Sequence, residues 1–211
     1  LGFNSQLLHR KKIFFYSKTS LCSIYNSVMI PFPDKKYNII YADPPWQYND
    51  RMKMQGVHGM IRGAESFYKT MNIKELKSLP VQNIADENCY LFMWVTMPLL
   101  QEGLDTIKSW GFTYKTCGFT WVKKTKNNKT HFGMGHYTRG NAELCLIGVK
   151  GKINRLDASV SQVIEAEIKR HSQKPYETRD KIVRLYGDLP RIELFARETA
   201  EGWDSWGNEF S

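Results

Sequence analysis

Four consecutive residues, Asp43-Pro44-Pro45-Trp46, set a carboxylate, a peptide carbonyl and a flat aromatic side chain next to one another. The chemistry that calls for such a set is work on an exocyclic aromatic amine such as that of adenine. This amine is a poor nucleophile because its lone pair is delocalised into the ring. An Asp43 carboxylate and a Pro44 carbonyl accepting its two N–H hydrogens would aim the nitrogen at an electrophilic methyl group. They would also stabilise the positive charge that grows on it. Proline has no N–H and a fixed φ, so the chain leaves the strand ladder here and the Pro44 oxygen can face a pocket. Trp46 would offer the base a face to stack on, a contact worth ~1–3 kcal/mol. No strong general base is required, because the amine turns acidic only after methylation. A plainer reading competes: Pro-Pro ends a strand and Trp46 fills a gap. An Asp43 tied up in a buried ion pair, with no cavity beside it for a purine, would undo the chemical reading.

The motif directly follows Tyr37-Asn-Ile-Ile-Tyr-Ala42, a mostly apolar run that reads as a buried strand stopped by the Pro pair. Asn72 caps an expected short helix that runs through Leu79 and stops at Pro80. Cys89-Tyr-Leu-Phe-Met-Trp-Val95 is a second apolar strand. Thr96 as N-cap and Pro98 in the first turn then start a helix to about Trp110. Its Leu99, Leu100, Leu104 and Ile107 keep helical spacing. Further strands are expected over 113–122 and 142–149, a weaker one over 162–167, and a buried one over 191–196. A helix over 177–186 closes at Gly187. Strands alternating with helices imply an α/β domain with a mainly parallel sheet and helices on its faces. Ligands of such sheets lie beyond the carboxyl ends of the strands, which points to residues 43–46 and 197–209. No Gly-x-Gly-x-x-Gly is present, so a dinucleotide-binding reading fails.

The 211 residues carry 30 Lys+Arg against 21 Asp+Glu, a net charge of +9, which suits a polyanionic partner. A hydrophobic content of 42% with 13% aromatics excludes wholesale disorder, and the length fits one domain. No run approaches the ~18 apolar residues of a membrane span, so no membrane role is expected. Cys22, Cys89, Cys117 and Cys145 lack the spacing of a zinc knuckle or a disulfide framework and suit a reducing cytoplasm. His58, His131 and His136 match no ligand signature, so no metal site is expected. Residues 1–28 stand apart, with four cations (Arg10, Lys11, Lys12, Lys18), five serines and no acid. They read as a basic extension outside the core, similar in composition to an organelle transit peptide. Without them, 26 cations face 21 acids and the 29–211 body is still basic.

From Thr113 to Ala142 there is no acidic residue, while Lys115, Lys123, Lys124, Lys126, Lys129 and Arg139 alternate with Tyr114, Phe119, Trp121, Phe132 and Tyr137. Cations for phosphates and aromatics for bases suit a nucleic-acid surface. Phe119 and Trp121 are expected in the core and the loop 123–140 at the contact. A second basic, glycine-containing segment, 49–65, follows the motif and would close over an extruded base.

Several blocks, in order, resemble the MT-A-seventy-like family of N6-adenine methyltransferases, especially phage and bacterial members. They are Tyr37 to Trp46, Tyr68-Lys-Thr-Met71, Leu91-Phe-Met-Trp-Val-Thr96, Gly133-Met-Gly-His-Tyr-Thr-Arg-Gly-Asn-Ala-Glu143, His171-Ser-Gln-Lys-Pro175, Arg191 to Arg197 and Trp203 to Glu209. The resemblance implies a Rossmann-like fold using S-adenosylmethionine, with the catalytic motif ahead of the cofactor segment. It gives Asp43, Pro44, Pro45 and Trp46 the amine-binding role and makes Tyr68 a second aromatic wall. Glu143, Lys174 and Arg139 fall near the substrate, and Asp43 and Lys174 also near the cofactor. Arg197, Asn208 and Glu209 fall where the family binds adenosine and ribose, with Glu193 and Phe195 in the strand beneath. Glu209 stands where the eukaryotic pattern has an amide, and Thr199-Ala200 replaces a His-Asn pair. On residues alone, Arg197 reads equally as a solvated charge, Asn208 as a turn residue, and Lys174-Pro175 as an ordinary helix start. The expected activity is methylation of the adenine amine in DNA. N4-cytosine methylation, RNA as substrate, and a non-catalytic nucleic-acid-binding subunit are its rivals, and both a monomer and a homodimer are compatible with the sequence.

Overall fold

The computed structural model describes residues 30–47, 70–133, 135, 137–169 and 173–207. The expectations for 1–28, the segment 49–65, Tyr68, His58, His136, Asn208 and Glu209 lie outside the described residues.

Seven strands form one sheet in the order β5-β3-β4-β2-β1-β6-β7. They are β1 (Tyr37–Ala42), β2 (Ala85–Val95), β3 (Thr113–Lys124), β4 (Ala142–Lys150), β5 (Val163–Glu167), β6 (Arg191–Leu194) and β7 (Asp204–Trp206). The architecture is mixed α/β, and the expected mainly parallel sheet is met only in part. β1 is parallel to both β2 and β6, β3 to β5 and β6 to β7, but β4 runs against both β2 and β3. Central β1 is covered on both faces, which is why its residues form a near-continuous apolar run and not an alternating one.

This strand direction decides which residues meet. The carboxyl ends of β1, β2, β3, β5, β6 and β7 share one edge of the sheet. The reversed β4 begins at that same edge, so Glu143, its second residue, lies there too, opposite Trp121 of β3.

Helices α1 (Ile73–Ser78) and α2 (Leu100–Ser109) pack on one face of the sheet, and α3 (Glu177–Tyr186) packs on the other. Asn72 caps α1 as expected, in a reciprocal pair with Glu75: its side chain accepts from the Glu75 N–H while Glu75 accepts from the Asn72 N–H. Residues 177–186 are helical, and Gly187 closes α3 at φ 82°, a conformation glycine adopts without steric cost.

Two expectations need correction. Thr96 makes no capping bond. A 3-10 turn over Met97–Leu99 precedes α2, and Leu100 is exposed. Ile107 is buried and Leu99 and Leu104 pack against the core as expected, and the fully buried positions of α2 also include Gly103 and Thr106. Gly103 is the point of closest approach, where an added Cβ would lie 2.9 Å from Val95 Cγ2. The strand expected over 191–196 stops at Leu194, because Phe195 turns to φ 60°. The chain then returns as β7, which carries too short an apolar signal to be foreseen. Among the described residues no helix is long and apolar enough to cross a membrane.

Buried Trp110 joins the two helices of the first face, donating its indole N–H to the Leu76 carbonyl at 2.8 Å. Trp110→Phe removes the indole N–H, leaving that buried acceptor unpaired at a cost of about 1–3 kcal/mol, and the smaller ring adds a cavity on top of this. Urea unfolding should show a lowered midpoint with an unchanged slope, and a wild-type midpoint would refute the role.

Candidate active site

β1 delivers Asp43 to the shared edge, and the next three residues are tied down in sequence. The Asp43 N–H reaches the Leu194 carbonyl at 3.4 Å, continuing the pairing with β6. The Trp46 N–H donates to the Pro44 carbonyl at 2.8 Å, closing a tight turn over Pro45, and Met71 N–H donates to the Pro45 carbonyl at 2.9 Å. The Pro44 oxygen, expected to face a pocket, is therefore already engaged by one donor. A carbonyl has two lone pairs, so one acceptor site is left.

Trp46 departs further from expectation. It is 4% exposed, belongs to the core cluster and donates its indole N–H to the Trp94 carbonyl at 3.0 Å. It serves here as a strut that fixes the turn and presents no open stacking face. The plainer reading of this one residue accounts for what is seen. Trp94 itself donates to the Tyr41 hydroxyl at 2.6 Å, so motif, β2 and β1 are bolted together by consecutive indole and phenol groups.

The Asp43 carboxylate is paired with Lys174, whose ammonium lies 2.8 Å from each of its oxygens. Lys174 stands just ahead of α3, at a turn in which the Pro175 carbonyl accepts from the Thr178 N–H. Its ammonium also reaches Glu143 at 3.4 Å, and Lys123 holds the other Glu143 oxygen at 2.5 Å. A chain of alternating charges thus runs Asp43, Lys174, Glu143, Lys123. The ion-pair half of the condition that would undo the chemical reading is met. A carboxylate offers roughly four lone-pair sites, however, and one ammonium does not exhaust them. The Asp43 side chain also keeps 17% of its surface exposed.

The electrostatics follow the same geometry. Burial pushes the Asp43 carboxyl above its ordinary range, and Lys174 offsets this only in part. For Glu143, burial also acts upward, but Lys174 and Lys123 together outweigh it and hold the carboxyl below its usual value. Burial alone would lower the Lys174 ammonium; the two carboxylates more than reverse that and keep it charged.

The other expected residues fall in three groups. Glu193 sits beside Tyr41 in β6 and is buried, with its Oε2 accepting from Arg179 of α3 at 2.7 Å. Phe195 packs edge-on to Trp206 at 5.4 Å, and the Ala196 N–H donates to the Trp206 carbonyl. Arg197 follows at the same edge and lowers the Asp43 carboxyl electrostatically. Arg139 is exposed on the 123–140 loop, with exposed Lys126, Lys129, Phe132 and Tyr137. Phe119 and Trp121 are buried as expected, but Lys123 and Lys124 are engaged by Glu143 and Glu165 and are not open to phosphates. Among the described residues no cluster could hold a metal ion.

Lys123, Arg179 and Trp94 were not singled out by sequence for these roles. Lys123 read as one cation among six in a basic stretch, and Arg179 carried no signal of its own within the expected 177–186 helix. The edge thus gathers carboxylates and cations, the kinds of group that the ammonium, sulfonium and carboxylate of S-adenosylmethionine would call for.

The sequence profile of the MT-A70 family matches residues 37–209. The Type II methyltransferase M.MunI of Mycoplasma sp is 36% identical, with 92% of this chain aligned to 91% of that protein. The N(6)-adenosine-methyltransferase MT-A70-like protein of Drosophila melanogaster is 30% identical over 82% of this chain. The human N(6)-adenosine-methyltransferase catalytic subunit METTL3 is 28% identical over the same share. The chain spans nearly the whole of the mycoplasmal relative but only 27% and 28% of the other two. Since the matched segment holds Asp43, Glu143 and Lys174 together with every strand of the sheet, the chain belongs to the MT-A70 family of methyltransferases.

Proposed function

We propose that the protein methylates the exocyclic N6 amine of adenine in DNA, using S-adenosylmethionine, on a Rossmann-like sheet. The observation that carries this reading is Asp43 at the carboxyl end of a central strand, its carboxylate held in place by Lys174. S-adenosylmethionine, when bound, supplies an electrophilic methyl group.

Asp43 accepts one amine N–H, and the second lone pair of the Pro44 carbonyl accepts the other. The nitrogen lone pair is then directed away from both oxygens. As positive charge builds on the nitrogen, the Asp43 carboxylate stabilises it at short range, where screening by water is weak. Lys174 fixes the carboxylate's orientation, and the closed turn over Pro45 fixes the carbonyl. Lys126, Lys129 and Arg139 supply phosphate contacts at the same edge, with Phe132 and Tyr137 beside them for stacking. The likeness along nearly all of a Type II methyltransferase favours DNA. The N(6)-adenosine-methyltransferase relatives carry the alternative of RNA.

Incubation with DNA and methyl-labelled cofactor should yield N6-methyladenine on nucleoside analysis; label confined to cytosine, or to RNA offered in competition, would replace this reading by a rival. Asp43→Asn should lower turnover by about 10²–10³-fold while DNA affinity is kept. Its thermal midpoint should fall, because the buried Lys174 ammonium loses one of the two carboxylates that compensate its charge. Wild-type turnover in this variant would refute the role. Since only the ionised carboxylate accepts the amine and Asp43 is shifted upward, kcat/KM should fall with decreasing pH along a limb centred above the ordinary Asp value of about 3.9. A profile flat down to pH 4 would contradict that assignment.

A further inference from the structure

Lys174 is one cation between two carboxylates, and its position is uneven: 2.8 Å from Asp43 and 3.4 Å from Glu143. Burial does not explain the preference, because both carboxylates are largely withdrawn from solvent and both need a counter-charge. The difference is Lys123, the second cation on Glu143, which reaches its other oxygen at 2.5 Å.

We propose that Lys123 is a positioning residue for this site: by satisfying Glu143 it leaves Lys174 committed to Asp43 and so holds Asp43 ionised and oriented. The proposal rests on the reading of Asp43 as the amine-binding carboxylate.

The obvious competing role for Lys123 is a phosphate contact, since it opens the acid-free loop. Its placement opposes that. The ammonium lies over the Trp121 ring at 5.2 Å, the side chain is 22% exposed, and its charge is spent on Glu143. Lys126 and Lys129, farther along the loop, are exposed. The Lys123 backbone is pinned as well, donating to the Asn141 carbonyl at 2.8 Å and accepting from the His131 N–H at 2.9 Å. A residue fixed at both backbone groups and at its charge is suited to hold another residue still.

The charge balance gives the sign of the effect. With Lys123 present, two ammonium groups face two carboxylates. Without it, Glu143 draws Lys174 away, and Asp43 loses part of the cation that keeps it ionised. The remaining groups that act on Asp43 are Glu193, itself held by Arg179, the buried Tyr41 hydroxyl and Cys145 thiol, and Arg197. None of these pairs with Lys123, so its substitution reaches Asp43 through Glu143.

The test is a carboxyl ¹³C NMR titration of Asp43 in the full chain, assigned with Asp43→Asn, alongside kcat/KM against pH. Lys123→Met should raise the Asp43 midpoint by about 0.5–1 pH unit and move the acid limb of kcat/KM with it. Lys123→Arg should leave both near wild type, and Lys123→Gln repeats the Met result if the Met variant folds poorly. Glu143→Gln should lower the midpoint, and in that background Lys123→Met should change nothing further. An unmoved midpoint in folded Lys123→Met or Lys123→Gln protein overturns the proposal. So does an undiminished effect in the Glu143→Gln background, or a change confined to KM for DNA. If the wild type methylates no nucleic acid, the functional reading falls, while the titration still reports on Lys123.

Discussion

The structure depends on one lysine ammonium held between carboxylates that are distant in the chain. Lys174 is 131 residues from Asp43, and the two meet only because β1 and the turn before α3 end at the same edge of the sheet. An ammonium this little exposed costs several kcal/mol in lost hydration unless it is paired. The pairing therefore constrains the fold as much as the fold supplies the pairing. It also gives the reversed strand β4 a purpose. Run parallel to its neighbours, β4 would carry Glu143 to the opposite edge, and Lys174 would face a single carboxylate.

Around this cation the motif is held by groups that the chemistry does not use. Trp46 is spent on the Trp94 carbonyl, the Pro44 oxygen is half spent on the Trp46 N–H, and Pro45 is anchored by Met71. Each bond takes a group that sequence reasoning reserved for substrate and uses it for rigidity. The exchange has a physical rationale. Aiming an amine at a methyl group demands placement within a fraction of an ångström, and only side chains locked by packing and a second layer of hydrogen bonds give that. A stacking surface is easily supplied elsewhere, whereas a fixed carboxylate and carbonyl are not.

What was legible in the sequence was local. The apolar runs of β1 and β2, the Asn72 cap of a helix stopped by Pro80, and the Gly187 stop each depend on neighbours a few residues away. So does the identity of Asp43-Pro44-Pro45-Trp46 as a unit. What was not legible was pairing at long range. Lys123 looked like one more cation in a basic stretch, and nothing near it signals that Glu143 takes its charge. Arg179 likewise gave no sign of reaching Glu193 across the top of α3. In the α2 stripe only Leu100 was misjudged, and for a related reason: leucines mark burial on average, but a helix pressed against Val95 needs a glycine there, and so Gly103 is buried while Leu100 is not.

The pairing of charges also bears on how a carboxylate can serve as an acceptor in so crowded a place. Asp43 stands between two other carboxylates at this edge: Glu143 raises the Asp43 carboxyl, and Asp43 in turn raises that of Glu193. Left to themselves, carboxylates this close lower their repulsion by keeping a proton. A protonated Asp43 would present a donor to the amine and could no longer take its hydrogens freely. Giving Glu193 to Arg179 and Glu143 to Lys123 removes the reason for proton sharing one neighbour at a time. Lys174 then completes the neutralisation at Asp43 without covering it. Lys123 and Lys174 thus act together on the central carboxylate, while Arg179 relieves the Glu193 carboxyl that Asp43 pushes upward.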